Sequence, residues 1–428
     1  MELKTKSIKG MTLALLMLIA AMAGCIGSED DDTETEDTVD APVTSGTDAG
    51  YTYASDVENH RALMKDLCDI KTAASSDGGY NFAEAKSIYT DGKNAEKSDG
   101  SFRTLAGFAA ADGKKHGYDS YYNMSGSVGQ HIMDAMEGTG DFTNTSDTVR
   151  YQGIAKLTAN MGMVAYTIHE LNSAVAKADA GNVDNDSGAP HNWDEGWAFF
   201  HGPEDDWSCS PAYTMKKRAA DFSTETDGVS NALTATTNAM VDGLAALQAQ
   251  DSAGYTAATD TVVKNVIITY SQATLKYASK MDSNTSAEKY QVEGYAFWKT
   301  IEAYAAPHTD NACYNMNTHT MGWVGSSAAA ACDAFIWTNG SQDSSENATN
   351  DTCYNTMSHT VAMGVSDKAG CDAFTSTYFY ENYGATSMNN IFDLSDSSQL
   401  GTSYDVTAWL QPVWDHYGIT AEDIGTYA

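Results

Sequence analysis

The chain has 428 residues, with 58 Asp and Glu against 24 Lys and Arg, a formal net charge of −34. Such acidity excludes nucleic acid and anionic lipid headgroups as partners, and fits either solvation in salty surroundings or attraction of cations. With 42% hydrophobic residues it can bury a sizeable core, and its length corresponds to about two domains.

Lys4, Lys6 and Lys9 precede the apolar run "MTLALLMLIAAMAG", which stops at Cys25, so residues 1–24 read as a signal peptide too short to span a bilayer. Ala23 and Gly24 before Cys25 resemble a lipoprotein processing site, which predicts lipidation of Cys25 and attachment at the outer face of the cell membrane. Residues 25–50 are acidic, hydroxyl-rich and almost free of large apolar side chains, a composition that predicts a disordered tether. Seven N-x-S/T sequons, at Asn123, Asn144, Asn185, Asn284, Asn339, Asn347 and Asn350, fit an exposed, glycosylated surface.

Residues 51–308 are predicted to form a mainly α-helical domain. Apolar residues recur at helical spacing in "VRYQGIAKLTANMGMVAYTIHELNSAVAKA", "VSNALTATTNAMVDGLAALQAQ" and "DTVVKNVIITYSQATLKYASKM". Residues 164–202 also lie over residues 266–302: Tyr166, Leu171 and Ala174 fall on Tyr270, Leu275 and Ala278, and "EGWAFF" from Glu195 falls on "EGYAFW" from Glu293. The duplication predicts two helical hairpins of a bundle, facing each other across a shared core.

A second repeat occupies residues 309–376, where "CYNMNTHTMGWVGSSAAAACDAF" and "CYNTMSHTVAMGVSDKAGCDAF" share Cys-Tyr-Asn, His-Thr and Cys-Asp-Ala-Phe. Apart from Cys25 six cysteines remain, an even number that in an exported protein implies disulfides. Fifteen pairings are open to six cysteines; the equal roles within the repeats favour Cys313 with Cys332 and Cys353 with Cys371, leaving Cys68 with Cys209. Residues 377–428 close with "VTAWLQPVWDHYGITAEDIG", predicted to be helical and docked by its Trp and Leu side chains. The fold class is therefore mainly α, duplicated hairpins plus a disulfide-stabilised C-terminal repeat region.

On a helix Glu195 shares a face with Phe199, and Glu293 with Phe297. A carboxylate among aromatics is costly unless paired, protonated or bound to a metal, although either Glu could equally favour the dipole of its helix's first turn. Two facing carboxylates favour a cation between them, and the duplicated Tyr166 and Tyr270 would add phenolate oxygens suited to Fe(III), or else simply fill the core. In "YTIHELNSAV" the residue four after His169 is Ser173, so H-E-x-x-H is not completed; His169 and Glu170 remain candidates to face the site. At "SDGSFRTLAGFA", Ser101, Arg103 and Thr104 form either an anion cradle at a helix start or merely its cap. No P-loop, G-x-S-x-G or dinucleotide fingerprint occurs, and no catalytic residue is assigned.

The stretches "KSIYTDGKNAEKSDGSFRTLAGFA", "VAYTIHELNSAV", "HNWDEGWAFFHG", "YSQATLKYA", "VEGYAFWKTIEAY" and "YGITAEDIG" resemble the low-iron-inducible periplasmic proteins of algae, the FEA family, related to the phytotransferrins. The resemblance implies iron assimilation outside the cell, with Fe(III) as cargo and carbonate as a synergistic anion. Residues 309–376 depart from the family pattern. The resulting expectation is a lipid-anchored protein that binds ferric iron through Glu195, Glu293, Tyr166, Tyr270, His169 and Glu170, holds carbonate at Arg103 and Thr104, and passes the metal to a transporter or reductase. Two other readings remain open: a glycosylated structural or adhesive surface protein without metal, and a carboxylate-metal oxidase or peptidase.

Overall fold

The apolar rows of the sequence become helices in the structure, a computed structural model that describes residues 44–109, 117–315, 320–338, 352–362, 365 and 367–427. The signal peptide, Cys25, most of the tether and the sequons at Asn339, Asn347 and Asn350 lie outside the described residues. The other four sequon asparagines are exposed. The chain divides into two compact units, each assembled from three separate segments: 1–137, 157–213 and 235–262 form the first, and 138–156, 214–234 and 263–428 the second. One copy of the duplicated hairpin belongs to each.

In the first unit, helix α1 (Glu58–Ala74) buries Leu63, Met64, Leu67 and Ile70 along one face, and the Cys68–Cys209 disulfide fastens it. Helix α2 (Met163–Asp179), entered through a π-helical turn at Leu157–Gly162, packs on helix α3 (Ala189–Phe200). Gly196 permits that approach: a Cβ there would lie 3.0 Å from Leu171 and 3.6 Å from the carbonyl oxygen of Thr167. Trp193 of α3 is wholly buried and donates from Nε1 to the Met240 carbonyl at 2.8 Å. A two-residue ladder between Thr47–Asp48 and Tyr51–Thr52 precedes α1.

In the second unit the other copy comprises the 263–279 part of helix α4 (Ser252–Ser279) and helix α5 (Ala287–Ala305). Phe297 of α5 stacks on Tyr277 of α4, ring centroids 5.4 Å apart. Gly294, the counterpart of Gly196, faces Phe392; an added Cβ would meet that ring at 2.1 Å. The closing segment is helical as expected: α6 (Thr407–Tyr417) buries Leu410 and Trp414, whose Nε1 donates to Ser271 at 3.1 Å, and Thr420 caps a final turn reciprocally with Asp423.

The Cys-Tyr-Asn region contains strands, which the absence of period-two patterning did not predict. Thr320–Gly325, Asn311–Asn315 and Thr377–Tyr380 form an antiparallel sheet in that order, and Phe335–Thr338 pairs with Thr352–Asn355. Each Cys-Tyr-Asn lies in a strand. Cys313–Cys332 and Cys353–Cys371 are bonded, and the two Cys-Asp-Ala-Phe phenylalanines, Phe335 and Phe374, stack at 4.6 Å within a small core around those bridges.

Candidate functional site

Helical spacing places His191, Asn192 and Glu195 on one face of α3, opposite Tyr166 and Glu170 on α2. Buried His60, from the first turn of α1, completes the group. The Nε2 atoms of His60 and His191 each lie 3.2 Å from the same oxygen, Oε1 of Glu195. Glu170 reaches the Glu195 carboxylate, and its Oε2 accepts from Asn192 Nδ2 at 2.6 Å. Phe108, Phe199 and Tyr166 form a collar, with Phe108 and Tyr166 centroids 4.2 Å apart and Phe199 5.4 Å from His60.

Burial pushes the Glu195 carboxyl up, but the two imidazoles outweigh it and hold the group well below the usual carboxylate range. Burial pulls His191 down, yet the hydrogen bond to Glu195 prevails and its pKa is raised. The opposite edge of this ring is fixed as well. Ser55 Oγ donates to Asp194 Oδ2 at 2.7 Å and sits 2.9 Å from His191 Nδ1, so Nδ1 must donate to it. A neutral ring would then direct its Nε2 lone pair at Glu195, so the contact needs a proton or a cation between them, and the raised pKa of His191 supplies the proton in the iron-free protein. Asp194 is itself held by the Tyr51 hydroxyl at 2.5 Å and by the backbone N–H groups of Ala54 and Ser55.

Beside the cluster opens a cleft of about 360 Å³ whose lining includes Asp56, Glu58, Glu96, Arg103, His60 and His191. Its carboxylates outnumber its one guanidinium. Of the anion cradle, only Arg103 faces it: Thr104 Oγ1 accepts from the Gly107 N–H and is the helix cap, and Ser101 is bonded to the Asp99 carboxylate. Arg103 Nε is buried without a hydrogen-bond partner among the described residues. Of the His169–Glu170 pair, Glu170 points inward, while His169 is partly exposed with its Nε2 4.0 Å from Glu170.

Glu293 and Tyr270 stand in the second unit with other neighbours. Glu293 Oε1 is 3.7 Å from Lys156 Nζ, and Tyr270 lies beside Arg218 with its pKa raised well above 10 by burial despite that cation. Tyr166 is likewise raised by burial, Glu170 and Glu195. Among the described residues no group of three or more His, Cys, Asp and Glu side chains is arranged to hold a metal as it stands.

A family model described as low iron-inducible periplasmic protein matches residues 37–301. The chain belongs to that family. No curated protein and no solved structure matches it. Membership makes it an extracytoplasmic protein tied to iron, and no helix among the described residues is long and apolar enough to cross a membrane. The family match covers the first hairpin and all but the last turn of the second, and ends before the Cys-Tyr-Asn region. His60 and His191 were not among the residues singled out in the sequence. His191 carries a signal, four positions before Glu195 on the same helix; His60, 135 residues from Glu195, carries none.

Proposed function

We propose that the protein captures ferric iron outside the cell at the His60–His191–Glu195–Glu170 cluster, anchored through lipid on Cys25, and passes the ion to a membrane transporter or reductase. The observation that carries this reading is that the Nε2 atoms of His60 and His191 both meet one buried Glu195 oxygen, with Glu170 beside the same carboxylate, in a member of an iron-responsive family; the side chains would have to turn to enclose an ion. Imidazole and carboxylate both suit iron. Neighbouring ligands about 2.1 Å from one ion stand ~3.0–3.4 Å apart, which accommodates the 3.2 Å separations. The protons now shared among these groups would be displaced by the metal. Tyr166 adjoins the cluster as a further donor, and Arg103 supports a carbonate bound with the metal. Glu293 and Tyr270 are left out of this ligand set, since a lysine and an arginine already accompany them.

Equilibrium dialysis with Fe(III) at pH 7.5 tests the proposal. One bound ion is expected, with affinity reduced at least a hundredfold in Glu195→Gln and His191→Ala but not in Glu293→Gln. Loss of a visible tyrosinate-to-iron band in Tyr166→Phe would add that phenol to the ligands. Unaltered binding in both Glu195→Gln and His191→Ala would sink the assignment.

A further inference from the structure

Where α5 ends, a 3-10 turn at Ala306–His308 brings His308 against the last turn of α6, which carries His416. The two imidazoles stack face to face, with centroids 3.4 Å apart and ring planes within 12°. Tyr417 stands edge-on to both, at 5.8 Å and 4.9 Å, and its hydroxyl donates to the Tyr304 carbonyl on α5 at 3.1 Å. The stack thus lies at the seam that joins the closing segment to the rest of the second unit. That segment is also held by buried Leu410, Val413 and Trp414, and by Gln272 Nε2, which donates to the Ile424 carbonyl at 2.9 Å.

The surroundings decide how the pair takes up protons. Among the described residues neither imidazole has a hydrogen bond or an ion pair, so no carboxylate holds a proton on either ring. Of the charged groups nearby, Asp310 and Asp415 act on each other, Glu302 is held by Lys299 and Asn389, and Lys264 reaches the Gly418 carbonyl and Asp423. Burial lowers both imidazoles, and the charge of the partner ring lowers His308 further, to about 4. A stack with no proton or one proton keeps its contact; a second proton sets two like charges face to face. Separated histidines take up protons at about 6.5. The closed form therefore binds fewer protons than the open one, so its advantage is complete above about pH 6.5 and is lost as pH falls toward 4. Asp310, raised by burial and by Asp415, works the other way, because its protonation favours the closed form.

We infer that the His308–His416 stack is an acid-sensitive latch, closed at neutral pH, whose protonation frees segment 407–427 from the end of α5 as a local unit. Opening uncovers the apolar row of Leu410, Val413 and Trp414, a surface presented only in acid. The device is independent of the cluster around Glu195. There the His191–Glu195 contact is strengthened by a proton on the imidazole, whereas the stack is weakened by one on each ring.

Hydrogen exchange of the full iron-free chain, read by mass spectrometry and corrected for the intrinsic pH dependence of exchange, tests the latch between about pH 7.5 and 4.5. Residues 407–417 should lose about tenfold or more in protection over that range, while residues 263–279 of α4, in the same unit, should lose less than about threefold. His416→Phe keeps a ring on the stack that cannot be charged, and the exposed position of His416 lets the fold tolerate it. It should cut the loss at 407–417 to under about threefold, and adding His308→Phe should abolish it. A wild-type acid response in His416→Phe, or a loss shared equally by α4, would overturn the inference.

Discussion

Glu195→Gln perturbs the iron-free protein in a way that its two imidazoles make specific. The substitution keeps shape and removes the charge that both His60 and His191 face, at a side chain only 13% exposed. Removing one partner of a buried ion pair costs ~3–5 kcal/mol, and a Gln that can still hydrogen-bond should fall near the lower end. At about 2–4 °C per kcal/mol for a unit of this size, the melting temperature should drop by about 6–12 °C. The loss should depend on pH. Because the folded pKa of Glu195 is depressed, its contribution is present above the unfolded value near 4.5 and disappears as pH falls through the lower folded value. Because that of His191 is raised, its contribution is complete below the unfolded value near 6.5 and disappears as pH climbs through the folded value. The difference between wild type and Glu195→Gln, followed by circular dichroism, should therefore be widest between about pH 4.5 and 6.5 and narrow on both sides. A difference that is flat from pH 4 to 9, or that grows steadily with pH, would show that the carboxylate is not held by imidazolium.

Ser55→Ala removes the acceptor that fixes His191 Nδ1 and a donor to Asp194; iron affinity should fall about tenfold with ~1–3 kcal/mol lost from the iron-free fold, and Ser55→Thr should restore both. Gly294→Ala should destabilise by about 1–3 kcal/mol, because Phe392 is buried and cannot yield the space; a denaturant midpoint equal to wild type would contradict the close approach. Replacing Cys353 and Cys371 together by Ser opens a loop of 18 residues and should cost ~3 kcal/mol, read as an earlier unfolding step by near-ultraviolet circular dichroism.

Much of the helical architecture could be read from the chain, because a 3.6-residue apolar period reports one buried face regardless of what covers it. The hairpin copies were legible for the same reason, and their glycines mark where side chains would collide. The strands at residues 311–315 and 352–355 were not, since two disulfides and a pair of stacked phenylalanines stabilise segments too short to show alternation. In the candidate site, Glu195 and Glu170 were found from the cost of placing charge in an apolar helix. His60 could not be, because a buried histidine on an amphipathic helix resembles any other core residue until the fold supplies its partner. Thr104 and Ser101 show the converse: residue types suited to an anion also serve a helix end and a turn, and here both hydroxyls have such local partners.

Each unit draws on three stretches of chain, and this interleaving governs the order in which an exported polypeptide can mature. The α1 thiol at Cys68 must wait for Cys209 to emerge, and the first unit lacks its last segment until residue 262 has crossed the membrane. Early intermediates therefore expose half-built apolar faces and an unpaired thiol until the later segments follow. Truncating the gene anywhere before the final segment would leave both bodies unfinished together, and secretion yield should collapse in one step instead of declining piece by piece.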